Sequence, residues 1–510
     1  MRRSSLFACA LAGALIGTAA PAAADPNNNN SQKLRSAVSL AGVREHQAAL
    51  QAIADANNGT RYAGSPGHVA SAQYVYDAMA AAGYDVSFHE FSYLFNGDET
   101  PAVLNRVSPS PKSFVNRVEF RSMSSSVDGD VTAPLVAVDL VVPSPPADNS
   151  NTSGCEAADF AGFPAGAIAL MQRGTCTFQV KLNNAAAAGA VAGIVFNEGN
   201  SPARSNLNFG NAGTPSPPIP GVTTTFAAGD ELRAGRLNGP TGSTVRVKVD
   251  RIVATLPTKN VIAETPGGDP NNVIVVGAHL DSVETGPGIN DDGSGTAVDL
   301  EIAEQMAKVK PHNKVRFIWF SAEEAGLLGS FAYVASLSEA QRDQIAAMLD
   351  FDMIGSPNFA RFVYDGDGDE LGPSGPEGSG AIEALFDGFF DAQGLFKEPV
   401  AFDGRSDYVA FTNVGIPAGG IFTGAEVHKT PAQQAIYGGT VSTGLEGQFD
   451  PCYHLACDTF ANFSPIVLDQ MADAAAHAVI TLAQSTSVVN GERGKGNFNT
   501  ARRIEDAASK

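Results

Sequence analysis

Gly277-Ala278-His279-Leu280-Asp281 pairs a histidine with a carboxylate, and Asp291 follows the histidine by twelve residues, inside Asn290-Asp291-Asp292-Gly293-Ser294-Gly295. Imidazole nitrogens and carboxylate oxygens are donors that zinc accepts. Further along, Glu323 and Glu324 adjoin in Ser321-Ala322-Glu323-Glu324, and Asp352 lies in Met348-Leu349-Asp350-Phe351-Asp352-Met353. His454 stands between two cysteines in Cys452-Tyr453-His454-Leu455-Ala456-Cys457. Two histidines and three carboxylates exceed the needs of one tetrahedral zinc with an open position; they suit two zincs sharing a bridging carboxylate. The chemistry implied is that of a two-metal centre.

Such donors must be held by rigid elements. Val273-Ile274-Val275-Val276 and Val315-Arg316-Phe317-Ile318-Trp319-Phe320 read as buried strands, and the run from Met348 is a third. In each case the candidate donors lie at or just past the strand end, where α/β sheets present ligands. Upstream, Gln47 to Asn57 and Ala70 to Ala82 read as helices, and Tyr84 to Tyr93 alternates as a strand.

Taken together, Gly277 to Asp281, Asn290 to Gly295, Ala322 to Gly326, Phe351 to Gly355, Gly404 to Asp407 and Tyr453 to His454 resemble the secreted bacterial double-zinc leucine aminopeptidases, in that family's order and near its spacing. The resemblance covers residues 34 to 95 and 258 to 485. Between them about 160 residues are inserted before the strand Asn260-Val261-Ile262-Ala263. Within the insert, Gly154-Cys155, the run Gly166 to Phe178, Lys181, Ala188-Gly189-Ala190 and Gly193 to Asn197 resemble a protease-associated domain.

These resemblances imply an α/β protein: a three-layer α/β/α zinc-exopeptidase domain with a mixed sheet, interrupted by a β-rich, noncatalytic protease-associated domain with a lid or substrate-access role. The expected limits are a signal peptide over 1–24, peptidase domain over 25–95 and 258–485, insert over 96–257, and tail over 486–510.

The family likeness also assigns roles. His279 and Asp352 would hold one zinc, Glu324 and His454 the other, and Asp291 would bridge them; Glu323 would be the general base that takes a proton from water and returns it to the leaving amine. Tyr453 would hydrogen-bond the tetrahedral oxyanion, while Arg405 and Phe422 would border the substrate. Asp281 would orient His279 by accepting from its other ring nitrogen, and the Asp291-Asp292 peptide would be cis. The function implied is release of N-terminal residues, large and apolar, from peptides. Alternatives on the same scaffold are a carboxypeptidase, a dipeptidase or a noncatalytic binding protein.

Composition agrees. The 510 residues are 44% hydrophobic and 17% charged, ordinary for a globular protein of two or three domains. A net charge of −21 argues against nucleic acid as a partner. Arg2-Arg3, the apolar stretch Leu6 to Ala20 and Ala22-Ala23-Ala24 form an export signal, so a secreted protein, extracellular or periplasmic, is expected. No later apolar run is expected to reach the length of a membrane span, so nothing is expected to hold the chain in a bilayer after signal cleavage, and a monomer is expected. Cys9 leaves with the signal; Cys155 with Cys176, and Cys452 with Cys457, are the natural disulfides of the three connectivities open to the rest. Two calcium sites have weaker grounds. Asp365-Gly366-Asp367-Gly368-Asp369 starts like a calcium loop but has Glu370 where glycine is required, and Asp469 with Asp473 lacks an acidic partner near Ala37 and Val38. His46, His68, His89, His312 and His477 carry no ligand spacing, and His428, in a loop soon after Phe422, has only its position to bring it towards substrate and is left out of the site.

Overall fold

The structure, a computed structural model, describes residues 31–201 and 204–490. The signal peptide expected over 1–24 lies outside the described residues, as does the tail from 491. Residues 486–490 belong to the fold: Thr486 accepts from the Asn272 side chain at 2.9 Å and Val489 is buried. Packing therefore extends past the boundary at residue 485.

A mixed eight-stranded sheet forms the centre of the peptidase part, in the order Asp85–Asp98, Arg251–Glu264, Asn313–Phe320, Asp269–His279, Ile345–Asp350, Ala418–Phe422, Phe362–Tyr364 and Glu398–Val400. Strand Asp269–His279 runs parallel to both its neighbours. Its residues Val273, Ile274, Val275 and Val276 are all buried, because a central parallel strand is covered on both faces. Alternation divides them: Ile274 and Val276 pack with helices Gly293–Met306 and Pro465–Gln484, whereas Val273 and Val275 pack with Leu328–Ser336 and Tyr408–Thr412. This gives the three layers.

Helix Pro465–Gln484 corrects one expectation: by length and composition it is apolar enough to cross a membrane. Here its most apolar stretch is 67% buried, and it serves as a core helix. The N-terminal helices begin earlier than their apolar spacing suggests. Leu40–Ala56 is capped by the Ser39 hydroxyl, which accepts from Gly42 N–H at 3.0 Å, and Pro66–Ala82 is capped by Ser65 with proline in its first turn. Gly42 leaves room there for the Glu301 carboxylate, which a Cβ would meet at 2.4 Å and displace.

Strands Asp85–Asp98 and Arg251–Glu264 pair antiparallel along their whole length, Asp85 opposite Glu264 and Asp98 opposite Arg251. The ribbon thus carries the inserted chain at Asp98 and Arg251 rather than at 95 and 258. The insert has its own eight-stranded sheet, from Lys112–Ser113 at one edge to Phe120–Ser122 at the other, with helices Phe178–Ala187 and Phe226–Arg233. Separate apolar clusters fill it, one around Leu135, Leu170 and Phe196 and one around Met171, Leu182 and Val195.

Candidate active site

The five expected ligands converge. His279 ends its strand, Asp291 precedes helix Gly293–Met306, Glu324 follows strand Asn313–Phe320, Asp352 follows strand Ile345–Asp350, and His454 comes from the loop after Asp450. Asp291 Oδ1 lies 3.1 Å from His279 Nε2, and its Oδ2 lies 3.2 Å from His454 Nε2. Asp352 Oδ1 is 3.7 Å from His279 Nε2, and Glu324 Oε2 is 3.0 Å from His454 Nε2. Glu323 Oε2 is 3.8 Å from His279 Nε2. The Asp291-Asp292 peptide is cis.

The cluster gathers carboxylates around two imidazoles. Burial alone would lower the His279 pKa, but Glu323, Asp291 and Asp352 raise it well above the usual value. His454 is only partly buried, and against the lowering effect of burial Glu324 and Asp291 raise its pKa to about 10. Burial opposes the charge on Asp291, yet the two histidines hold its pKa well below the carboxylate range. Glu323 is pushed far up by burial and by Glu324 and Asp352, against the pull of His279. Asp291 Oδ2, Glu324 Oε1 and Asp352 Oδ1 are buried with no hydrogen-bond partner among the described residues. Buried carboxylate oxygens left open in this way are those that a cation completes; the residues present fit zinc.

Surrounding residues fix the donors. Asp292 is near enough to His279 and Asp352 to join their group, but its Oδ1 accepts from Gly295 and Met353 N–H and its Oδ2 from His279 N–H, so it ties loops together. Gly295 permits this approach, since a Cβ would fall 1.6 Å from the Phe351 carbonyl oxygen. Asp281 corrects an expectation. His279 Nδ1 lies 3.1 Å from the Asp281 backbone oxygen and 3.8 Å from its carboxylate. The carboxylate instead accepts the Glu323 N–H at 3.2 Å. Ala322, Met353 and His454, each in or beside a ligand pair, have left-handed φ angles of 59°, 53° and 58°, as residues do where surroundings enforce a site's geometry.

Three supporting residues carried no motif. Asp458 accepts the N–H groups of Asn290 and Asp291 at 2.8 and 3.0 Å, and Asp450 accepts the Asn290 side chain at 2.7 Å. Arg61, fully buried, donates to the carbonyls of Leu280, Pro287 and Gly288, fixing the segment between His279 and Asp291. Its signal in the sequence was only an arginine in a polar turn.

A pocket of about 280 Å³ opens beside the cluster. Glu323, Glu324 and Asp352 form one side, and Met353, Tyr364, Val400 and Phe422 give it an apolar side. Arg405 and Tyr453 also line it; the Arg405 guanidinium grips Glu426 at 3.0 and 3.1 Å and donates to the Tyr453 hydroxyl at 3.1 Å. Both disulfides form, Cys155–Cys176 in the insert and Cys452–Cys457 around His454.

Elsewhere, Asp365 of the acidic turn and Glu383 on helix Ser379–Ala392 accept that turn's backbone amides, and Asp473 faces the Arg35 guanidinium at 2.8 Å, a cation already in place where calcium was considered. His46 stands near Glu301 and Glu304, but its Nδ1 lies 2.7 Å from the Tyr74 hydroxyl, and Glu301 accepts from Ser39 N–H.

Residues 260–479 match the model of peptidase family M28 and residues 131–232 that of the PA domain. An aminopeptidase of Pseudomonas aeruginosa is 46% identical over 448 residues, 87% of this chain and 81% of that protein. Leucine aminopeptidase 2 of Trichophyton rubrum is 38% identical, covering 88% of this chain and 84% of that one. Among solved structures, an aminopeptidase from Aneurinibacillus sp. strain AM-1 superposes with a TM-score of 0.56 at 30% identity, over 88% of this chain and 95% of that one. With the geometry above, the chain belongs to peptidase family M28, as an aminopeptidase with a PA domain inserted ahead of its catalytic half.

Proposed function

We propose that this is an exported, zinc-dependent aminopeptidase that binds two zinc ions and releases large apolar residues from peptide N-termini. The observation that carries the reading is Asp291, whose two oxygens each face a different histidine. His279 and Asp352 would hold one zinc, Glu324 and His454 the other, with Asp291 shared. When bound, zinc polarises the scissile carbonyl and acidifies the attacking water.

The chain's own groups supply the rest. Glu323, adjacent to a ligand but not required as one, takes the proton from water and passes it to the leaving amine. The Tyr453 hydroxyl, positioned by Arg405, donates to the oxygen on which charge develops. Acidic residues at one side of the pocket favour a free α-ammonium, and Met353, Tyr364, Val400 and Phe422 favour an apolar side chain. Two disulfides and the Arg2-Arg3 start before an apolar run support export.

The test is release of amino acids by the purified protein from leucyl, lysyl and glutamyl peptides, free and N-acetylated. Release from free leucyl peptides alone is expected. Equal cleavage of acetylated peptides would replace this reading with the carboxypeptidase or dipeptidase alternative.

A further inference from the structure

A second cavity, of about 350 Å³, leads from the metal centre to the PA domain. It shares only Glu324 and His454 with the apolar pocket, and its outer end is formed by Arg117, Arg121 and Phe209 of the insert. A neighbouring cavity of about 230 Å³ is lined by the same three side chains, which therefore stand where the two meet.

In a chain of net charge −21, three arginines, Arg117, Arg121 and Arg251, gather at this wall beside Asp98 and Glu284. Arg117 is paired with Glu284, an ion pair that joins the insert to the peptidase part. Arg251, also at the wall, is paired with Asp98 at 3.1 Å and bonded to Asn96. Arg121 differs. It has no hydrogen bond or ion pair among the described residues, and its guanidinium lies 3.9 Å from the centroid of the Phe209 ring. That ring is 82% exposed, so it is the arginine that uses the ring rather than the core. Burial, with Arg117 and Arg251 adding and Glu284 and Asp98 opposing, lowers the Arg121 pKa to about 10, which leaves it charged at neutral pH. Strand Phe120–Ser122 pairs with Gly221–Thr224 and holds the Arg121 main chain in place. Glu284 and Asp98 lie close enough to act on this charge, but they are paired to Arg117 and Arg251; a partly buried guanidinium in no direct ion pair, at the end of a cavity that starts at the reacting centre, can receive an anion.

We infer that Arg121 binds the free C-terminal carboxylate of short peptide substrates, on the leaving-group side of the scissile bond. The inference rests on the aminopeptidase reading above. A peptide with its N-terminal side chain in the apolar pocket must send the rest of its chain out through another opening, and the second cavity supplies one. The α-carboxylate is the anion that every short peptide carries, whatever its sequence. The PA domain would then select substrates by length, with Phe209 shielding one face of the guanidinium and leaving its N–H edge for the carboxylate.

The test uses a length series of leucyl peptides, each as free acid and as C-terminal amide, with leucine release measured and leucyl p-nitroanilide run in parallel. At the length that spans the cavity, the wild-type enzyme should prefer the acid by about 10-fold or more in kcat/KM. Arg121→Gln should abolish that preference and Arg121→Lys should keep part of it. Equal rates for acid and amide at every length, or an acid preference undiminished in Arg121→Gln, would overturn the proposal while leucine release leaves the aminopeptidase reading standing. Failure to release leucine from any substrate, the p-nitroanilide included, would overturn both. The acid-to-amide comparison needs only the wild-type protein, so a variant that fails to fold does not remove the test.

Discussion

The Asp281 carboxylate holds Glu323 rather than His279: its Oδ1 accepts the Glu323 backbone N–H at 3.2 Å, while the imidazole Nδ1 faces the Asp281 main-chain oxygen. A side chain expected to orient a ligand is thereby placed behind the proposed base. Asp281→Ala should therefore lower kcat by about 10- to 100-fold, the usual range for such supporting groups, with zinc content close to that of the wild type. Kinetics and metal analysis on the same preparation check this; loss of zinc in proportion to activity would return the carboxylate's role to the histidine.

Glu323→Gln separates proton transfer from metal binding. It keeps the side chain's size and removes its basicity, so kcat should fall by about 10²- to 10⁴-fold while KM for leucyl peptides and zinc content change little. An unchanged kcat would mean that another group takes the proton.

His279, Glu324 and Asp352 were legible because each stands at or just past a strand end, and the sequence marks those ends by apolar runs that stop at His279, Phe320 and Asp350, whereas Asp291 and His454 lie in loops and were legible by their motifs. What was not legible depends on local backbone path or on pairing across long separations. Whether Asp281 offers its carbonyl or its carboxylate to Nδ1 is decided by the turn after the strand. Asp458 and Arg61 reach the Asp291 loop from opposite ends of the chain, and neither belongs to a periodic pattern. The PA-domain join was misplaced for a similar reason. Register through Asp98 and Arg251 is a property of two strands together, which neither segment displays alone.

Cys452–Cys457 closes a loop that contains His454 and adjoins Asp458. Replacing both cysteines by serine should cost about 2 kcal/mol in stability, the scale for so short a loop, and should speed removal of zinc by a chelator. Unchanged stripping kinetics would show that the loop is held by other contacts.

Acid should weaken the fold through His68. Burial, with Arg61 and Lys259 adding, lowers its pKa to about 3, whereas in the unfolded chain it titrates near 6.5. Between those values the unfolded state binds the extra proton. The stability is thus fully present above about pH 6.5 and is lost as pH falls towards the folded value, by at most about 1.4 kcal/mol per pH unit. Urea unfolding in the presence of chelator should show this slope, and His68→Gln should flatten it; the same slope in both proteins would contradict the assignment.

The most direct test of the account is a zinc count by native mass spectrometry on the active wild-type protein and on Asp291→Ala. If the two oxygens of Asp291 join two metal positions, the wild type should carry two zinc ions per chain, and the variant at most one with leucine release lost. A fully active wild type saturated with a single zinc, or a variant that keeps both ions, would contradict the bridging role.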